Sequence, residues 1–171
     1  MAFPVASQRV AQGMGSDRGA ASGTAPCAVI DTNVWLDLFV FEDPAVRRLA
    51  QALHSGALVA VRSPRTDAEL QAVLARPKFA AKLPQAAVAA LTQTWQALTR
   101  NVETSDSAPW ICRDRDDQKF LDLAFSVRAQ ALFTKDRALL RLARRARRDG
   151  LQISAPADYA GRNDGPGAAN P

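Results

Sequence analysis

Four carboxylates, Asp31, Glu69, Asp117 and Asp136, stand in strings that set them apart from ordinary surface acids. Asp31 in AVIDTN follows a short apolar run, and Asp136 in LFTKD follows another. Glu69 in ELQAVLARPKF has Ala72 and Val73 at i+3 and i+4, which puts it at the flank of the helix face that packs inward. Asp117 in CRDRDDQKFLDLA has Phe120, Leu121 and Ala124 at i+3, i+4 and i+7. An acid at the head of such an apolar stripe is a cap, a member of an ion pair or a metal ligand. Carboxylates gathered in one place with no histidine or cysteine partner are what a hard divalent cation, Mg2+ or Mn2+, requires, because such close like charges repel until a cation neutralises them.

Each acid taken singly has a plainer reading. Asp31 and Asp136 also read as N-caps of the helices that follow them, and Glu69 as a solvated helical residue near Arg76. Asp114 and Asp116 read as loop and helix-start residues, with Asp116 as the cap. The single histidine, His54 in ALHSG, fits the last turn of a helix rather than a general base.

What brings the acids together is the pattern of elements. Apolar runs at 28–30, 58–61, 131–134 and 151–154 read as four strands. Helical patterns over 34–40, 43–55, 66–74, 85–99, 118–128 and 137–148 separate them. Strand and helix in alternation predict an α/β fold, a mostly parallel sheet with helices on both faces. In open parallel sheets ligands lie outside the carboxyl ends of the strands, which is where Asp31 and Asp136 fall.

With 171 residues, 47% apolar content and 23% charged content, the chain is long enough for one domain with a real core and is neither disordered throughout nor fibrous. Composition places that domain at 27–160, between a Gly/Ala/Ser-rich tail at 1–26 and a second tail at 161–171. Two cysteines make neither a disulfide scaffold nor a zinc site. The absence of a long apolar run argues against secretion and membrane spanning, so the expected location is the cytoplasm.

The net charge of +5 is concentrated in arginine. Over 137–148, Leu139, Leu142, Ala143 and Ala146 form an apolar stripe, and Arg137, Arg141, Arg144, Arg145 and Arg148 gather opposite it. With Arg76 and Lys78 these residues are candidates for holding a nucleic-acid backbone. The same face also reads as a solvated surface or as a dock for an acidic peptide. Trp35 and Trp110 are candidates for stacking on unpaired bases, and Trp95 is placed in the core.

The strings AVIDTN, ELQAVLARPKF, CRDRDDQKFLDLA and LFTKD, in this order and spacing, resemble the PIN-domain nucleases, in the VapC-like branch of toxin components of toxin–antitoxin pairs. The resemblance runs over residues 28–160. It implies an α/β/α sandwich and a Mg2+- or Mn2+-dependent endoribonuclease acting on single-stranded RNA, with a cognate antitoxin as partner and a homodimer as a further association. On the matching positions, the family's four acids fall on Asp31, Glu69, Asp117 and Asp136. Asn33 and Thr134 fall on accessory polar positions, and Asp114 is a further outer ligand. Two other functions fit the same residues: an RNA-binding module without turnover, and an aspartyl-phosphate phosphohydrolase using Asp31. The second lacks the aspartate two positions on that the haloacid-dehalogenase pattern needs.

Overall fold

A computed structural model describes residues 25–160. The tails read at 1–26 and 161–171 lie outside the described residues, apart from 25 and 26. Five strands, β1 (Cys27–Ile30), β2 (Val59–Arg62), β3 (Thr99–Asn101), β4 (Ala131–Phe133) and β5 (Gln152–Ser154), form one sheet in the order β3-β2-β1-β4-β5. Every pairing is parallel. The first strand is thus the central one, with Ala28 opposite Ala60 of β2 on one side and Ala131 of β4 on the other. A parallel strand covered on both faces must be apolar throughout, and Ala28, Val29 and Ile30 are each no more than 3% exposed.

The alternation of side chains along β1 divides the interior in two. Ala28 and Ile30 pack with Trp35, Leu49, Leu70 and Trp95. That layer is supplied by α1 (Thr32–Leu36), α2 (Arg47–Ser55), α3 (Pro64–Leu74), α4 (Pro77–Ala80) and α5 (Gln85–Leu98). Val29 faces the other layer and packs with Phe120, Leu121, Leu139 and Ile153. Its helices are α6 (Gln118–Ser126), α7 (Arg137–Leu140) and α8 (Ala143–Ala146). The result is the three-layer arrangement expected from the sequence, with a five-stranded all-parallel sheet between two helical layers.

Local chemistry sets the element ends. Before α3, the Ser63 N–H donates to Thr66 Oγ1 and the Thr66 N–H to Ser63 Oγ, a reciprocal cap, with Pro64 at the first helical position. Gly56 ends α2 in the left-handed region at φ 73°, where a side chain would be strained.

Three expectations change. The fifth strand, β3, is an edge strand of sequence TRN with two exposed residues, so no apolar run announces it. The helix expected at 34–40 ends after Leu36 and widens into a π-helical turn, Asp37–Phe41, that closes on Glu42 at φ 48°. The single helix expected over 137–148 is broken into α7, α8 and a 3-10 turn, Arg147–Asp149. At the break the Leu142 N–H donates to Leu139 O at 2.9 Å, a tightened i to i−3 bond. Arg137–Arg141, Arg141–Arg145 and Arg144–Arg148 are like-charge i,i+4 pairs, each of which opposes one continuous helix.

Candidate functional site

Because β1 and β4 are adjacent, the turns that leave them meet at the carboxyl edge of the sheet. Asp31 follows β1 and caps α1, its Oδ1 accepting the Asn33 N–H at 3.2 Å. Its Oδ2 accepts a 2.6 Å hydrogen bond from Thr134 Oγ1, just past β4. Thr134 is fully buried and Asp31 is 1% exposed. The same threonine hydroxyl accepts the Asp136 N–H at 2.9 Å. Asp136 in turn caps α7, its Oδ1 accepting from Ala138 at 2.5 Å and Leu139 at 3.4 Å. The capping readings of Asp31 and Asp136 therefore hold, and capping is what fixes both carboxylates at one edge.

The electrostatics register how close the acids are. Burial pushes the Asp31 carboxyl above its ordinary value, against the hydrogen bonds from Thr134 and Asn33, and the charges of Glu69 and Asp136 push the same way. Asp117 precedes α6 without using its side chain as a cap. Its carboxyl is raised to about 6, first by burial and then by the negative charges of Asp136, Asp31 and Asp114, with Lys119 opposing. Asp116 is not the side-chain cap expected of it. The turn is made instead by Asp114, whose Oδ1 accepts the Asp116 N–H at 2.9 Å.

Glu69 reaches the site from α3 and is not a solvated partner of Arg76. Its Oε2 is buried 2.6 Å from Lys119 Nζ, an ion contact whose angles fall short of an aligned hydrogen bond. Lys119 was not among the residues expected at the site, since its partner lies on another helix. Asn33 is exposed and contributes its backbone N–H to Asp31.

The basic residues separate into distinct surfaces. Arg137 and Arg141 line a groove with Arg113, Arg115, Asp114 and Asp136, directly beside the acids. Arg113 and Arg115, which alternate with aspartates in CRDRDD, were also not expected there. The helix break turns Arg144 away to a depression with Arg147, Gln152 and Ile153, at the outer strand of the sheet. Arg145 and Arg148 are exposed, as are Arg76 and Lys78 around the start of α4. The base-stacking candidates are corrected. Trp35 is 3% exposed and stacks on Phe39, while Trp110 is 1% exposed and donates its Nε1 hydrogen to Asp149 at 3.0 Å. Both are core residues, as Trp95 is.

A second structural residue had no sequence signal of its own. Asp122, buried on α6, accepts the Ala108 N–H at 3.0 Å and Gln118 Nε2 at 2.9 Å. Gln118 also accepts from Cys112 N and donates to Trp110 O, so the long connection before α6 is clasped to that helix.

The donor set suits a hard cation: carboxylate oxygens without thiolate or imidazole, whose ionised state burial and mutual repulsion disfavour until a cation neutralises them. Among the described residues no three His, Cys, Asp or Glu side chains are close enough to enclose an ion by themselves. Mg2+ keeps several of its waters and is held by one or two carboxylates, so an open edge of this kind fits it better than it fits Ca2+.

Comparison with known proteins supports the same architecture. A family model described as PIN domain matches residues 27–138. The crystal structure of VapBC2 from Rickettsia felis, bound to a DNA fragment from their promoter, is similar in fold, with a TM-score of 0.54 and 13% identity. The match covers 75% of this chain and 98% of that one. No curated protein matches the chain in sequence.

Proposed function

The chain belongs to the PIN-domain family, and from that premise we propose that it is a Mg2+- or Mn2+-dependent endoribonuclease that hydrolyses phosphodiester bonds of single-stranded RNA. The observation that carries this reading is the convergence of Asp31, Glu69, Asp117 and Asp136 on one edge, with the Asp117 carboxyl raised to about 6 by burial and then by its acidic neighbours, beside a groove lined by arginines. As a toxin component it would take an acidic antitoxin segment as its partner, in keeping with the VapBC2 structure, one chain of which is similar in fold.

Asp31 and Asp117 would hold the ion directly, and Glu69 and Asp136 would complete the site directly or through the ion's waters. Such an ion supplies Lewis-acid activation of water and neutralises charge on the scissile phosphate. The chain's own residues do the positioning. Thr134 and the Asn33 N–H each bind one oxygen of Asp31, which fixes its carboxylate plane and leaves each oxygen a further lone pair. Asp136 caps with Oδ1, so Oδ2 is its oxygen not engaged in capping. Asp114 adds negative charge at the outer rim. Arg113, Arg115, Arg137 and Arg141 hold the phosphates on either side of the scissile bond, giving salt-dependent binding with little sequence preference.

The test is incubation of the protein with labelled single-stranded RNA in Mn2+, beside an EDTA control and the variant Asp31→Asn. Cleavage lost in both supports the reading. Cleavage that survives Asp31→Asn refutes the site, and RNA that is bound but not cut makes the protein a binding module.

A further inference from the structure

With Trp35, Trp95 and Trp110 buried, no tryptophan is left to meet a nucleic-acid base, and the large apolar side chains that stand exposed among the described residues are Phe41, Ile111 and Phe125. Phe41 leans on Phe79, and Phe125 packs edge to face with Trp110. Ile111 is 79% exposed and belongs to neither core cluster. A single exposed isoleucine is ordinary on a loop, but this one is held in place from both sides. Gln118 Nε2 donates to Trp110 O at 2.9 Å, and Gln118 Oε1 accepts the Cys112 N–H at 2.8 Å. The peptide units before and after Ile111 are thus fastened to the start of α6, one residue past Asp117.

The same segment sets Ile111 beside the arginines. From Ala108 to Arg113 the residues are alternately buried and exposed, so Pro109, Ile111 and Arg113 share the outer side. Arg113 lines the groove with Arg115, Arg137 and Arg141. Two residues of chain reach at most about 7 Å, which puts Ile111 at the rim of that groove. A single strand whose phosphates meet the arginines carries its bases to one side, and the π-face of any base accepts an apolar side chain, isoleucine included. Because the backbone on both sides of Ile111 is already held, little freedom is lost on contact.

We propose that Ile111 is an RNA-contacting residue: its side chain packs on a base of the single strand whose phosphates the arginine groove holds, and Gln118 keeps it in that place. This rests on the RNA reading above and adds to it a contact with the bases, which a grip on phosphates alone does not supply. The contact is apolar and carries no hydrogen bond, so it separates a strand that has bases from one that lacks them and does little to tell the four bases apart.

The test is fluorescence anisotropy of the full chain in Ca2+, a hard cation that neutralises the acids, with a gel to show that the strand stays intact. The probes are a single-stranded RNA of about twelve nucleotides and an abasic strand of equal length, which keeps the phosphates and lacks the bases. The wild type is compared with Ile111→Ser and Ile111→Trp, with the melting temperature as the check on folding. Ile111→Ser should weaken RNA binding about fivefold or more and leave the abasic strand within about twofold. The slope of log K against log salt should not move, since no charge is altered. Ile111→Trp, which has a larger face for stacking, should tighten RNA binding about threefold or more and leave the abasic strand as it was. RNA binding unchanged in Ile111→Ser, an equal loss on the abasic strand, or no gain in Ile111→Trp would each overturn the proposal. If Ile111→Ser does not fold, the tryptophan variant decides the question alone. A wild type that binds neither strand removes the RNA reading and this inference together. One that shows the predicted pattern yet cuts no RNA in Mn2+ keeps the role of Ile111 and refutes the nuclease.

Discussion

Thr134 Oγ1 and Asp31 Oδ2 are joined by a 2.6 Å hydrogen bond that spans 103 residues of sequence and is buried at both ends. The hydroxyl also accepts the Asp136 N–H, so one side chain couples the two acidic turns. Thr134→Val keeps the shape but strands a buried carboxylate oxygen. It should cost about 1.5–3 kcal/mol in urea unfolding, the range for a bond to a charged group, and Thr134→Ser should cost less. Without the hydroxyl to orient Asp31, Mn2+ binding should also weaken about 10–100-fold, read by calorimetry.

Asp117 gives the metal-free protein a defined pH response. Its carboxyl titrates near 6 in the folded chain against an ordinary 3.8, so between those values the folded state keeps a proton that the unfolded state releases. The associated stability is full below the ordinary value and is lost as pH rises through about 6. Asp31, Asp136 and Asp114 face the group with negative charge and Lys119 with positive, and the raised Asp31 carboxyl contributes with the same sign. A divalent ion replaces the proton, so the rise in melting temperature on adding Mn2+ should grow across this window. Asp117→Asn should flatten it.

The arginines can be separated by salt dependence. Neutralising Arg113 and Arg137 with glutamine should weaken RNA binding and lower the slope of log K against log salt by about 0.7 for each phosphate that is no longer neutralised. The same change at Arg144 and Arg148, outside the groove, should leave the slope nearly intact. Fluorescence anisotropy at several salt concentrations measures both.

Asp122 is placed to stabilise the fold rather than to catalyse. Asp122→Ala leaves the buried Ala108 N–H without its acceptor and should cost about 1–3 kcal/mol. Limited proteolysis should then cut within residues 102–117 before any other part of the domain.

The legible part of this protein was the part written in local pattern. β1 and β4 announce themselves because strands buried on both faces are apolar runs, and Asp31 and Asp136 are visible as the acids that end them. The apolar stripe of α6 likewise gives Asp117 its place. What could not be read depends on contacts between distant elements. The partner of Lys119 is on α3, that of Trp110 is Asp149, and the edge strand TRN carries no hydrophobic signal. A tryptophan in a loop before an acidic cluster looks available until the fold closes over it. The arginine segment misled for a related reason: its spacing suits one helix, and its like charges oppose one.

The strand order also has a consequence in time. Of the five described strands β1 is made first, yet it ends as the middle of the sheet, and β4, which supplies one of its two neighbours, comes about a hundred residues later. Until then Asp31 has neither Thr134 to bind it nor Asp136 beside it, and Asp117 has only just been made. A half-synthesised chain therefore holds Asp31 and Glu69 without the other two acids of the centre. If the finished protein is a nuclease, the cell meets its activity only after nearly all of the domain has left the ribosome.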